Sequence, residues 1–111
     1  MGAGREVAVG YTPHPVQVSE FQDVIRRTYL ERDRDRGLDG TFRWLVEEVG
    51  EFARSLRTGD HGNRMHEAGD VFAWLASVAN LVDVSLDAAI ERYANGCPRC
   101  GSSPCSCPMR R

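Results

Sequence analysis

The chain contains no lysine at all: its fourteen basic residues are all arginines. That excludes a P-loop lysine and a Schiff-base lysine together. No apolar run approaches the roughly 18 residues of a membrane span, and no charged–apolar–small leader opens the chain. The start "MGAGRE" lacks the hydroxyl residue of a myristoylation signal. A cytoplasmic location with no membrane partner is therefore expected. Excess charge of either sign is also lacking: the net charge is −2, so no basic field advertises nucleic acid. The middle of the chain shows no strand alternation, and no internal repeat occurs at solenoid periods.

What is present reads as helix. With 111 residues, the chain forms one domain that buries roughly two-thirds of its unfolded surface, and a partner chain would help. Residues 1–16, with three glycines and two prolines, predict a flexible arm. From 17 to 96 the pattern is helical. Ser19 with Gln22 predicts a capping box, and Phe21, Val24, Ile25, Thr28 and Tyr29 form one apolar stripe before the charge run "ERDRDR" and Gly37. A second helix runs from near Thr41 to about Arg57. Its Phe42, Leu45, Val46, Val49, Phe52, Ala53 and Leu56 fall within about 120° of arc. "TGDHGN" (58–63) is a turn by composition. A third helix, from about Arg64 to Leu81, is apolar around most of its circumference and should be buried on most sides. Ser85 caps a short fourth helix that stops at Asn95-Gly96. The fold class is all-α, with about four helices per chain.

The acids raise the functional question. "EEVGEF" (47–52) and "EAGD" (67–70) put five carboxylates on the second and third helices. On the second, Glu47, Glu48 and Glu51 lie opposite the apolar stripe, which reads most simply as a solvated face. Trp44 argues against that, because it projects within about 40° of both Glu48 and Glu51, and aromatic rings are seldom stationed on a wet face. On the third, Glu67 and Asp70 share a face with Val71, Trp74, Val78 and Leu81. Two carboxylates about 4 Å apart repel by about 4 kcal/mol at an effective dielectric of 20. Either arginines such as Arg43, Arg54 and Arg64 neutralise them, or a divalent cation does. An all-carboxylate shell suits Mg²⁺ or Mn²⁺ better than zinc, and such ions commonly take phosphate oxygens in their open positions.

Written out, "EEVGE", fifteen residues and "EAGD" resemble the E-E-x-x-E … E-x-x-D signature of the MazG-type, all-α nucleoside triphosphate pyrophosphohydrolases. "WLVEEVGEFARSLR" and "EAGDVFAWLASVANLVDVSLDAAIERY" look like that family's central and closing helices, so the resemblance covers roughly Phe21 to Tyr93. It implies a helical bundle completed as a homodimer or homotetramer. It also implies Mg²⁺-dependent cleavage of a (d)NTP to the monophosphate and pyrophosphate, in a role that sanitises the nucleotide pool. Carried onto this chain, the catalytic acids are Glu47, Glu48, Glu51, Glu67 and Asp70. Glu48, Glu51, Glu67 and Asp70 would be the metal ligands, and Glu47 would be an outer-sphere group or the one that orients water. Asn80 would bond base or sugar, or cap its helix; Trp44 would stack on a base, or pack at an interface. The family often supplies phosphate-binding cations from its last helix. Here that helix offers only Arg92, with Arg26, Arg32, Arg34 and Arg36 as alternatives on the first. Two other readings remain: a non-catalytic helical dimer with a metal-binding tail, and a phosphoribosyl-ATP pyrophosphohydrolase-like enzyme.

Residues 97–111 are cysteine-rich. Cys97, Cys100, Cys105 and Cys107 are spaced C-x₂-C-x₄-C-x-C. The first pair is a common half of a tetrahedral Zn²⁺ site, while the second is tighter than usual ribbon spacing. A structural zinc closed by one chain, a site shared between chains, and two disulfides in a purified sample all fit this pattern.

Overall fold

Breaks in the helices have local causes. The computed structural model describes residues 15–110; the expected arm at 1–16 falls almost wholly outside them. Four α-helices appear, with no strand among the described residues: α1 (Val18–Arg36), α2 (Leu38–Thr58), α3 (His61–Leu81) and α4 (Leu86–Ile90), the last continued by a 3₁₀ turn over Glu91–Tyr93. The all-α class of about four helices holds.

Gly37 alone joins α1 to α2. Its φ of 89° suits glycine and strains other residues. Its N–H bonds the Asp33 carbonyl at 2.9 Å, closing α1. Its own carbonyl accepts from the Thr41 N–H at 3.0 Å and the Thr41 hydroxyl at 2.8 Å, opening α2. At the next break, a Cβ on Gly59 would collide with the Asn63 side chain and the Ser55 carbonyl. Asp60 then caps α3 by accepting from the Asn63 N–H at 2.8 Å. Ser85 caps α4 through the Ala88 N–H at 3.1 Å.

Three predicted starts shift. α2 begins at Leu38 and α3 at His61, each about one turn before the expected Thr41 and Arg64. α1 begins at Val18 with Gln17 at its N-cap, and no side chain caps it. The expected Ser19–Gln22 box does not form because Gln22 turns inward. Its amide donates to Asn80 Oδ1 at 2.9 Å and to the Val84 carbonyl at 2.8 Å, and its Oε1 accepts from the Leu86 N–H at 2.8 Å. One buried side chain thereby links α1, α3 and α4.

α3 is central, with α1 and α2 both packed on it. Ile25, Ala73 and Ala76 form the core, and Phe21, Tyr29 and Leu86 pack against it. Small residues on α3 let its neighbours approach closely. The face of α2 turned to α3 is not the apolar stripe. It carries Thr41, Glu48 and Ser55, all buried and seven residues apart, a spacing that keeps one line of a helix on its partner. Phe42, Val46, Val49 and Leu56 instead lie outward, Val46 55% exposed. This corrects two expectations. The acids of α2 do not all lie on a solvated side, and α3, expected to be buried on most sides, leaves Met65, Phe72 and Leu75 exposed.

Candidate metal centre

The α2–α3 hairpin is antiparallel, and residues equidistant from Gly59 meet across it. Trp44 and Trp74 are such a pair, and their rings stack with centroids 5.8 Å apart and planes 15° from parallel. Glu48 and Asp70 are another, one turn nearer the Gly59 turn, and each is only 9% exposed. An i, i+4 step on each helix, Trp44 to Glu48 and Asp70 to Trp74, therefore holds the acids one turn from the paired indoles.

Around Asp70 the donors converge. His66, Glu67 and Asp70 each offer one ligand atom within 4.8 Å of the others. His66 Nε2 approaches Asp70 Oδ2 at 3.4 Å, but it lacks the alignment of a hydrogen bond, and that buried oxygen has no donor. A buried carboxylate oxygen without a partner is costly. Glu48 faces the same space. Burial first, then the carboxylates of Asp70, Glu67, Glu51 and Glu47, hold its carboxyl above the ordinary value. Glu51 is half-buried at the rim and pairs loosely with Arg54, at 3.8 Å. Glu47 is exposed. It lines an outer groove of about 320 Å³ with Arg36, Gly40, Arg43 and Trp44.

Arginines do not neutralise this cluster. Arg64 donates to the Ser55 carbonyl at 2.9 Å and the Leu56 carbonyl at 3.1 Å, capping the end of α2. Among the described arginine ion pairs, only that of Arg54 reaches one of the five acids, and that contact is exposed. An unsatisfied buried oxygen, a carboxyl pushed toward protonation and mostly oxygen donors together fit a hard divalent cation. Glu48, Glu67 and Asp70 would hold it, with Glu51 at the rim.

Two expected substrate residues lie elsewhere. Asn80 is 3% exposed. Its Oδ1 accepts from Gln22 Nε2, and its amide donates to the Gln22 carbonyl at 3.3 Å. It neither lines the groove nor caps the helix end; it ties α3 to α1. Arg92 rests on its own neighbour, with its guanidinium 4.7 Å from the Tyr93 ring and donating to the Tyr93 hydroxyl at 3.2 Å. Trp44 remains half-exposed at the groove, with one face covered by Trp74.

Two participants, His66 and Trp74, were given no role at the site from sequence. The i, i+4 relation of His66 to Asp70 was nonetheless legible. Trp74 is the platform under Trp44. Arg36 carries its guanidinium 4.9 Å from the Trp74 ring centroid and donates to Asp33 at 2.8 Å. Asp33 itself is fully buried inside what reads as a solvated charge run. The four cysteine sulfurs converge at the other end of the described chain, in one polypeptide.

A family model described as the MazG nucleotide pyrophosphohydrolase domain matches residues 36–99, more than half of the chain. No curated protein matches it significantly.

Proposed function

The chain belongs to the MazG nucleotide pyrophosphohydrolase family, and on that premise we propose that it hydrolyses a nucleoside or deoxynucleoside triphosphate to the monophosphate and pyrophosphate. The observation that carries this reading is the buried Glu48–Asp70 pair with its unpartnered Asp70 oxygen beside Glu67. Glu48, Glu51, Glu67 and Asp70 would hold Mg²⁺ or Mn²⁺. When bound, the ion supplies charge to offset the triphosphate and acidifies water.

The chain's own residues would do the rest. Trp44 offers its free face to a base, while Trp74 and the Arg36 guanidinium fix the stack from behind. Arg43, in the same groove, is placed to meet phosphate oxygens, a task assigned from sequence to Arg92 or the first helix. Glu47 lies at the groove mouth, where its carboxylate would orient the attacking water and accept its proton.

A homodimer or homotetramer would complete the bundle by covering the outward stripe of Phe42, Val46, Val49 and Leu56 on α2. Its substrates would be free or damaged nucleotides in the cytoplasm.

The test is pyrophosphate release from a panel of NTPs, dNTPs and phosphoribosyl-ATP with Mg²⁺. Release from NTPs or dNTPs that disappears in Glu51→Ala and Asp70→Ala, with helicity retained, supports the reading. Hydrolysis of phosphoribosyl-ATP alone would move the chain to that substrate class. Silence across the panel from folded, metal-loaded protein would sink the enzymatic reading.

A further inference from the structure

No residue between Gly96 and Arg110 is buried, so the tail has no apolar core to hold its shape. It is nevertheless folded back on itself. The Gly101 N–H donates to the Cys97 carbonyl at 2.7 Å, and the Cys97 N–H donates to the Ser102 carbonyl at 3.0 Å. Gly96, at φ 126°, allows this approach; a Cβ there would strike the Ser102 backbone. Something other than packing must hold such a turn.

The sulfurs show what that is. All four Sγ atoms lie within 4.8 Å of one another. Cys97 and Cys107 are 3.8 Å apart, and so are Cys100 and Cys105. A disulfide requires about 2.05 Å, so these are not bonded pairs. Four sulfurs at about 2.3 Å from a central Zn²⁺ form a tetrahedron with an edge of about 3.8 Å. Backbone amides point at three of them: Arg99 N–H at Cys97 and Ser106 N–H at Cys100, both at 3.4 Å, and Cys107 N–H at Cys105 at 3.3 Å. Such amides hold ligating thiolates in place and spread their charge. Two of the three sit two residues after the cysteine they serve, so the tight C-x₂-C and C-x-C spacings produce these contacts themselves.

We infer that Cys97, Cys100, Cys105 and Cys107 of a single chain bind one Zn²⁺ in a closed tetrathiolate site that folds the tail. Four protein ligands leave no open position, so the site is structural and takes no part in hydrolysis. Because no acid of the α2–α3 cluster is involved, the inference stands or falls independently of the nucleotide reading.

The experiment uses the full chain purified under reducing conditions without added chelator. Elemental analysis should find one zinc per chain, and exchange with Co²⁺ should give the intense visible bands of tetrahedral cobalt thiolate. The Cys100→Ser/Cys107→Ser double variant should lose the metal and keep its helical circular dichroism, while Asp70→Asn should keep the metal. If the double variant does not fold, stepwise mercurial titration of the wild type should release one zinc per four thiols. Zinc absent from reduced protein, zinc retained by the double variant, zinc lost with Asp70, or iron in place of zinc would each overturn the assignment. Mixing Cys97→Ser/Cys100→Ser protein with Cys105→Ser/Cys107→Ser protein should not restore binding. Restoration would show a site shared between chains.

Discussion

Replacing Asp70 by asparagine removes one charge from the cluster while preserving shape. In metal-free protein the Glu67 carboxylate lies within 4.8 Å of that of Asp70. Two unit charges at that distance repel by about 3.5 kcal/mol at an effective dielectric of 20. Glu48 adds to the repulsion, whereas the partial exposure of Glu67 and the weakened His66 contact subtract from it. A net stabilisation of about 1–2 kcal/mol is expected, equivalent to a rise of about 4–8 °C in melting midpoint. Excess Mg²⁺ should reverse the order. Wild type gains by mass action, about 2.7 kcal/mol at a hundredfold excess over Kd, and Asp70→Asn gains little. Thermal melts by far-UV circular dichroism, with and without Mg²⁺ at fixed protein concentration and neutral pH, give all four midpoints. A metal-free Asp70→Asn that melts below wild type would refute the reasoning, because the carboxylate would then be a needed bond acceptor. Equal Mg²⁺ responses in the two proteins would refute the cation assignment.

Four further outcomes follow from the geometry. Glu48 is held above its ordinary value of 4.5 in the metal-free fold, so the native state binds its proton more tightly than the unfolded chain does. That contribution is complete below about pH 4.5 and is lost as pH rises through the raised value. The stability of wild type minus that of Glu48→Gln should therefore fall across this window, while Mg²⁺ affinity measured by calorimetry rises. Gln22→Ala should cost about 2–4 kcal/mol in urea unfolding, because the Val84 carbonyl and the Leu86 N–H lose their partner. Trp44→Ala should raise KM roughly 5–10-fold through lost stacking of about 1 kcal/mol, with kcat changed less in steady-state assays. Val46→Glu, on the outward stripe, should shift light-scattering mass from oligomer to monomer; an unchanged mass would remove the proposed interface.

Much of the bundle could be read from the chain because its signals are local. Gly37 ends α1 and Ser85 caps α4 where glycine and serine are expected to do so. That Glu67 and Asp70 lie together was also legible, since helical spacing fixes which residues of one helix share a face. What a wheel cannot say is which face meets which neighbour. On α2 the large apolar residues point outward and a polar line of Thr41, Glu48 and Ser55 points inward, the reverse of what burial of the largest stripe would choose within one chain. Asn80 escaped for a similar reason. Its partner Gln22 lies 58 residues away, and no local pattern records so distant a bond. The fine geometry of the cysteines depended on turns at Gly96 and Gly101 that spacing alone does not fix.

That polar line along α2 has a consequence for assembly. Closing the hairpin within one chain gathers charge and hydroxyls beside the Trp44–Trp74 stack and leaves the large apolar stripe of α2 uncovered. If the opposite side of the same helix is what a second copy covers, then ordering of the acids and recognition of a sister molecule are two readings of one rotation of α2 about its axis. Dilution would loosen both together, and the capacity to hold a cation would become a measure of how crowded the protein is with its own kind.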